Sequence, residues 1–149
     1  VELESLAIRM KTLTRGSEVE IRGWDMKGKK EVTSTASLGS ETTTMDGKES
    51  GYKLTESAFG PSAVAVLDDG VIDAAEAEKV AKARHNVMLR DFITGEGTCW
   101  GNPALRAGTT VGIKGIGDRF SGVYYVVSSV HSIDDGGYTT RFRVWRTGV

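Results

Sequence analysis

The 149-residue chain is long enough to bury a core of its own, and its composition, 39% hydrophobic and 26% charged, is typical of a globular protein. Its 19 glycines favour many tight turns between short strands. The net charge is −1, and no Lys/Arg cluster is dense enough for the many phosphate contacts of a nucleic-acid partner. A single cysteine excludes an intrachain disulfide, and no apolar run approaches the roughly 18–20 residues that span a bilayer.

The first predicted element is a β-hairpin. Apolar and charged residues alternate over residues 19–24, which predicts a half-buried strand. Turn residues follow at 25–29, and residues 30–36 return as a second strand with Val32 facing inward. Residues 3–13 are apolar without a clean period, so they predict no single element.

Residues 33–60 are more than half Ser, Thr and Gly. Such a segment buries little apolar area to offset the entropy of ordering it, so we expect a flexible insertion or a long loop. An ordered edge strand around residues 52–54 is the alternative.

The clearest predicted element is a helix of about 20 residues. Asp73 and Glu76 have the spacing of a capping box at its start, and Gly95 is placed to end it in a left-handed conformation. Glu78 and Lys82 pair on its solvent side. The apolar stripe comprises Ala77, Val80, Ala81, Arg84, Val87 and Met88, followed by Asp91 or Phe92.

Four glycine-bounded strands are predicted after residue 95, at 97–100, 109–113, 123–131 and 138–145. Both faces of the third strand carry apolar residues, so we expect a central strand covered on both sides. Residues 133–137, Ile-Asp-Asp-Gly-Gly, are the strongest hairpin signal. The last strand alternates so that Thr139, Arg141 and Arg143 share a face, which must meet water, a lumen or a partner. We expect these strands and the early hairpin to form one continuous antiparallel sheet with the helix against it.

Few residues suggest chemistry. His131 with Asp134 and Asp135 is more typical of a hydrogen-bonded turn than of a catalytic cluster, and Cys99 is typical of a small buried hydrophobic residue because no local histidine would activate it. His85 lies off the helical stripe and is expected to be solvated or at an interface. The glycines at 112–117 predict a β-turn, since no helix follows to bind a phosphate. Metal-ligand spacing is absent, so the sequence predicts no catalytic, cofactor or metal site and no enzyme.

An ordered series of motifs resembles one family. The series runs through Gly-Trp-Asp at 23–25, the helix at 74–92, Gly-Asn-Pro at 101–103 with Leu-Arg-Ala-Gly at 105–108, Phe-Ser-Gly with Tyr-Tyr-Val at 120–126, and a closing segment at 131–142. Over roughly residues 18–146 the chain is similar to the phage late control D/VgrG-like baseplate hub proteins of contractile tails and injection systems.

The resemblance implies an α+β domain, an antiparallel β-barrel or sandwich of the tail-tube type with one packed helix. It implies a hub that is a trimer with two such domains per chain, so that six similar domains form a ring by self-association. This ring joins the tail tube protein to spike and baseplate proteins. Residues 1–149 would then be the second tube-like domain of a longer protein, with the flexible insertion at about 33–60. The expected setting is assembly in the bacterial cytoplasm and incorporation into a virion or tail-like particle, without cofactors, specific nucleic acid or a membrane span.

The candidate interface or lumen residues are Thr139, Arg141, Arg143 and Trp24. Two other functions stay open from the sequence. A carbohydrate- or peptide-binding β module would use exposed rings of Trp24, Trp100 and Trp145. A small hydrolase or peptidase domain would need Cys99 or His131.

Overall fold

The computed structural model describes residues 2–13, 15–61, 63–68 and 70–149. Its contacts divide the chain into two units. We call the first the five-strand unit; it comprises Val1–Lys11, Thr44–Lys48 and Arg90–Val149. The second, the three-strand unit, comprises Thr12–Thr43 and Glu49–Leu89.

The five-strand unit is one antiparallel sheet, and its strands in spatial order are β1 (Leu3–Met10), β5 (Ile93–Trp100), β8 (Gly137–Arg146), β7 (Gly122–Asp134) and β6 (Thr110–Ile113). The predicted hairpin at residues 133–137 is confirmed, because Asp134 pairs with Gly137 and accepts a hydrogen bond from the Gly136 amide. All four strands predicted after residue 95 are present.

One face of this sheet carries the core of the unit. Phe142 and Val144 alternate with exposed residues along β8, and Tyr124 and Val126 extend the same face across β7. A Cβ at Gly97 would lie 2.8 Å from Cζ of Phe142, so the glycine leaves space for the ring. Leu3 on β1 and Ile113 on β6, the two outer strands, line one cavity of about 330 Å³. The two ends of the sheet therefore approach each other, as in a curled half-barrel.

The predicted covering of β7 on both faces is wrong. Tyr124 and Val126 are buried, whereas Val127 and Val130 are half-exposed on the opposite face. A solvent-facing surface accepts isolated valines at small cost, so apolar residues on both faces do not by themselves establish burial.

The three-strand unit has the strands β3 (Lys30–Ala36), β2 (Arg15–Asp25) and β4 (Ala63–Asp68) in this spatial order. The helix α2 (Ala74–Leu89) packs on β2 and β3. The early hairpin is confirmed as the antiparallel pair of β2 and β3, while β4 pairs with β2 in parallel. Val19, Ile21 and Val32 project from the sheet towards Ala77 and Ala81 of the helix. A shorter helix, α1 (Gly51–Phe59), also belongs to this unit.

The start of α2 follows the predicted cap, but its end does not. Asp73 Oδ1 accepts from the Glu76 amide at 2.8 Å, and Glu76 reaches back to the Ile72 amide at 2.8 Å. Glu78 and Lys82 form the expected ion pair, 2.7 Å apart. The helix stops at Leu89, and Gly95 lies inside β5, where it pairs with Ile8 and Val144. Hydrogen bonding of β5 to its two neighbouring strands is more favourable at these residues than extension of the helix.

The Ser/Thr/Gly-rich segment contains a helix, α1, and not the edge strand considered for residues 52–54. Ser50 Oγ caps it by accepting from the Lys53 amide, and Gly60 ends it at φ +83°. Tyr52 is fully buried, with its ring centroid 4.6 Å from that of His85 and its hydroxyl donating to the His85 carbonyl at 3.2 Å. One large aromatic side chain thus fixes α1 on α2. Flexibility of the wider 33–60 segment stays a prediction.

The fold is α+β with mostly antiparallel strands, which confirms the predicted class. The prediction of one continuous sheet is wrong, because the early hairpin and the strands after residue 93 belong to two separate sheets. The helix α2 covers the smaller sheet, and a second helix is present. The strand that completes the smaller sheet is β4, an alternating apolar run bounded by Pro61 and Gly70 that the sequence interpretation passed over.

His85 is fully buried on α2, against the expectation of a solvated residue. Burial lowers the pKa of His85 below that of a free imidazole, while the Glu41 charge and the Ser17 backbone oppose the shift. The folded state therefore favours neutral His85. Its contribution to stability is present above the unfolded pKa of about 6.5 and is lost as the pH falls from there towards the folded pKa.

We expect the free energy of unfolding to fall between pH 7.5 and 5.5, measured by urea titration at a series of pH values. His85→Leu should flatten this decline, whereas His131→Ala, a change at the exposed second histidine, should retain it. An equal slope in wild type and His85→Leu would assign the pH dependence to other groups.

Candidate functional site

The face of the five-stranded sheet opposite its core carries three of the four predicted site residues. Arg141 and Arg143 are exposed on β8, and Thr139 is partly exposed on the same face. On the neighbouring strand β5, Thr98 pairs with Arg141, Glu96 with Arg143 and Trp100 with Thr139. Because β8 is a central strand, the two arginines lie in the middle of this face.

An aromatic cluster adjoins the arginines. The Trp145 ring stacks on Tyr125 of β7 with the centroids 4.9 Å apart, and the Arg90 guanidinium lies 5.3 Å from the Trp145 ring centroid. These contacts hold a cation on an aromatic surface, the arrangement of a cation–π interaction. A shallow cavity of about 380 Å³ opens here, with Arg9 and Arg143 among its lining residues.

The charge of this face is positive. Arg9, Arg141 and Arg143 are exposed on it. Asp91 lines the same cavity as Arg9 and Arg143, and Glu96 faces Arg143 with Glu Oε2 3.8 Å from Arg Nε. Both partners of that pair are more than half exposed, so the attraction is weak in water. We call this surface, with Arg90 beside Trp145, the basic face. Its exposed apolar residues are Trp100, Val127 and Val130.

Trp24, the fourth predicted residue, belongs to the three-strand unit. It lies on the sheet face opposite α2 and is 53% exposed. Glu20 and Arg22 share that face and form an ion pair with Arg Nε 2.6 Å from Glu Oε1. Trp24 is therefore an exposed surface ring in the three-strand unit, and it is not part of the Arg141/Arg143 group.

The remaining sequence candidates offer no catalytic arrangement. His131 Nδ1 lies 2.9 Å from the Tyr138 hydroxyl and 3.1 Å from Thr140 Oγ1, so it belongs to a local hydrogen-bond group on a strand. Cys99 is buried, which confirms its interpretation as a small core residue, and burial raises the pKa of its thiol. Within residues 2–13, 15–61, 63–68 and 70–149, no group of three or more His, Cys, Asp or Glu side chains is placed to hold a metal.

The carbohydrate-binding interpretation needed three exposed tryptophans. Trp24 and Trp100 are each 53% exposed, but Trp145 is partly buried between Tyr125 and Arg90. Sequence reasoning also missed the Arg90–Trp145 contact, since Arg90 follows a helix whose end was placed too late.

Among the helices of the described ranges, none has the length and apolar character of a membrane-spanning helix.

A protein-family model, the Alg8 N-terminal domain, matches residues 2–135. The chain belongs to the Alg8 N-terminal domain family. A search of curated proteins found no match to this chain.

Two solved structures share the fold of this Alg8 N-terminal domain. A tail protein from Neisseria meningitidis MC58 is 13% identical with a TM-score of 0.65, and the alignment covers 97% of this chain and 40% of that one. The prophage MuSo2 tail protein from Shewanella oneidensis is 16% identical with a TM-score of 0.61, and the alignment covers 97% of this chain and 39% of that one. The chain therefore spans about two fifths of the length of the tail proteins whose fold it shares.

Proposed function

We propose that this chain is a structural, non-catalytic domain of a phage-tail-like particle, specifically a tube-like domain of a baseplate hub protein. The observation that carries the proposal is the fold similarity to two tail proteins over 97% of the chain. The ordered motif series that resembles the late control D/VgrG-like hubs supports the same type of protein from the amino-acid sequence alone.

The surface of the five-strand unit supports an assembly role. Its central strand presents Arg141 and Arg143 on an exposed face with half-exposed Trp100 and Val130. Aromatic residues and arginine are enriched where protein surfaces meet. The solvent-exposed face of a monomeric protein is not expected to concentrate arginine and aromatic residues on one side of a sheet.

In the proposed role the domain joins the tail tube to the spike by associating with copies of itself and with the tube, spike and baseplate proteins. The full-length protein would be a trimer, and the domain would be the second of its two tube-like domains. Assembly would take place in the bacterial cytoplasm, and the finished protein would be part of a virion or injection particle. These finer points depend on the motif resemblance.

Deletion of the gene in the producing bacterium tests the proposal. Mass spectrometry should detect the protein in particles purified from the parent strain, and the deletion strain should yield no complete tail particles in negative-stain images. Expression of the intact gene from a plasmid is the control and should restore them. Complete particles in the deletion strain would overturn the proposed role.

A further inference from the structure

We propose that the basic face of one copy docks on the acidic face of a second copy, so that the chain associates head to tail. This inference rests on the proposed function and deepens it by naming the surfaces through which copies meet. We define the acidic face as the side of the three-stranded sheet opposite α2, with Glu18, Glu20 and Glu31.

The acidic face follows from the register of the sheet. Val19 and Ile21 are buried under α2, so the residues that alternate with them in β2, Glu18, Glu20 and Trp24, point to the other side. Glu31 of β3 pairs with Trp24 and is exposed there. Among the described side chains of these two strands, Arg22 is the basic one on this side, and it is ion-paired with Glu20.

The two faces are opposite in charge. In the middle of the basic face the exposed Arg9, Arg141 and Arg143 outnumber Glu96, and Asp134 lies at the far end beside the β7–β8 turn. On the acidic face Glu18, Glu20 and Glu31 outnumber Arg22 among the side chains that the structure describes on β2 and β3. The lysines at 27, 29 and 30 belong to the tip of the β2–β3 hairpin and its first pair, beyond Trp24. Opposite potentials attract the two faces and disfavour contact of either face with itself.

The two faces also expose the same types of apolar residue. The acidic face exposes Trp24 at 53%, with Val64 at 43% and Val66 at 48% on β4. Val66 is level with Glu20 in the parallel β2–β4 pairing, so both lie on the same side. The basic face exposes one tryptophan and two valines as well: Trp100 at 53%, Val127 at 50% and Val130 at 59%. Each face thus has apolar area that docking would remove from water.

A contact between two different faces of the same chain is heterologous. An open chain of copies then always has one free basic face at one end and one free acidic face at the other, until a ring closes, whereas a contact between like faces would end at a dimer. This distinction determines the experiment, because faces of opposite type can be disabled separately.

The test uses two charge-reversal variants of the 149-residue chain in sedimentation velocity. Arg141→Glu with Arg143→Glu disables the basic face, and Glu18→Lys with Glu31→Lys disables the acidic face. Wild type should associate with rising concentration, and its association should weaken about tenfold or more when salt is raised from 0.05 to 0.5 M, since exposed charges are screened. Each variant alone should remain monomeric, and an equimolar mixture should associate, since one variant retains an intact acidic face and the other an intact basic face.

Lys114→Glu with Arg119→Glu is the matched control, because it makes the same charge change at exposed loop residues outside both faces. It should associate as wild type does, and circular dichroism should confirm that all variants are folded. A monomeric wild type at about 0.2 mM, or a mixture of the two variants that stays monomeric, would overturn the proposed interface. The protein would still be found in tail particles in that case, so failure of the interface and failure of the proposed function are distinguishable.

Discussion

Replacing Tyr52 with alanine is expected to lower the free energy of unfolding by about 3–5 kcal/mol, the usual cost of removing a buried aromatic side chain. Tyr52 is fully buried, and its ring and hydroxyl both contact His85 on α2. The loss should be visible in urea denaturation, and hydrogen exchange should accelerate in α1, which the ring fixes to α2.

Two further variants separate the causes of that loss. Tyr52→Phe retains the ring and removes only the hydrogen bond to the His85 carbonyl, so it should cost about 1 kcal/mol. Phe59→Ala changes an aromatic residue in the same helix that is 74% exposed, and it should leave stability nearly unchanged. Equal effects at Tyr52 and Phe59 would contradict the packing of α1 described above.

Phe142→Ala is the second substitution with a large expected effect, again about 3–5 kcal/mol. The ring lies between β5 and β7 on the core face of the curled sheet and occupies the space that Gly97 leaves free. Its removal enlarges the cavity that Leu3 and Ile113 already line. Thermal and chemical denaturation of the chain would both report the loss.

The neighbouring residue provides the control for this substitution. Arg141→Ala changes the side chain that precedes Phe142 on the strand but points to the exposed face, so stability should stay within about 0.5 kcal/mol of wild type. A large effect at Arg141 and a small one at Phe142 would mean that the two faces of β8 have been assigned the wrong way round.

The strands of the larger sheet were predictable because their signals are local. Alternation along β8 assigned Phe142 and Arg141 to opposite faces, and the Asp-Asp-Gly-Gly turn determined the β7–β8 register. The cap at Asp73 located the start of α2 for the same reason. Each of these features depends on residues fewer than six positions apart.

The division into two sheets was not predictable in this way. Parallel pairing of β2 with β4 joins residues about 45 positions apart, and no local pattern specifies it. The end of α2 depends on Ile93 being buried in the other unit's sheet, and the burial of His85 depends on Tyr52 from a segment too rich in Ser and Thr to predict a helix. Long-range contacts override local preference at these positions.

The candidate site was predictable in part. Alternation identified Thr139, Arg141 and Arg143 as one face. The exposed Val64 and Val66 of the acidic face were missed, because they lie on β4, an edge strand of the smaller sheet that the sequence analysis did not predict. Arg90 joined the basic face only when the helix end was known. The charged strand was therefore predictable from local alternation, whereas its neighbours on the face depend on long-range pairing.

Cryo-electron microscopy of particles purified from the producing bacterium tests the central claim most directly. We expect density for the two sheets of this domain in a ring of like domains at the junction of tail tube and spike. Absence of the domain from the particle, or its placement away from that junction as an isolated peripheral subunit, would contradict the assignment as a baseplate hub domain.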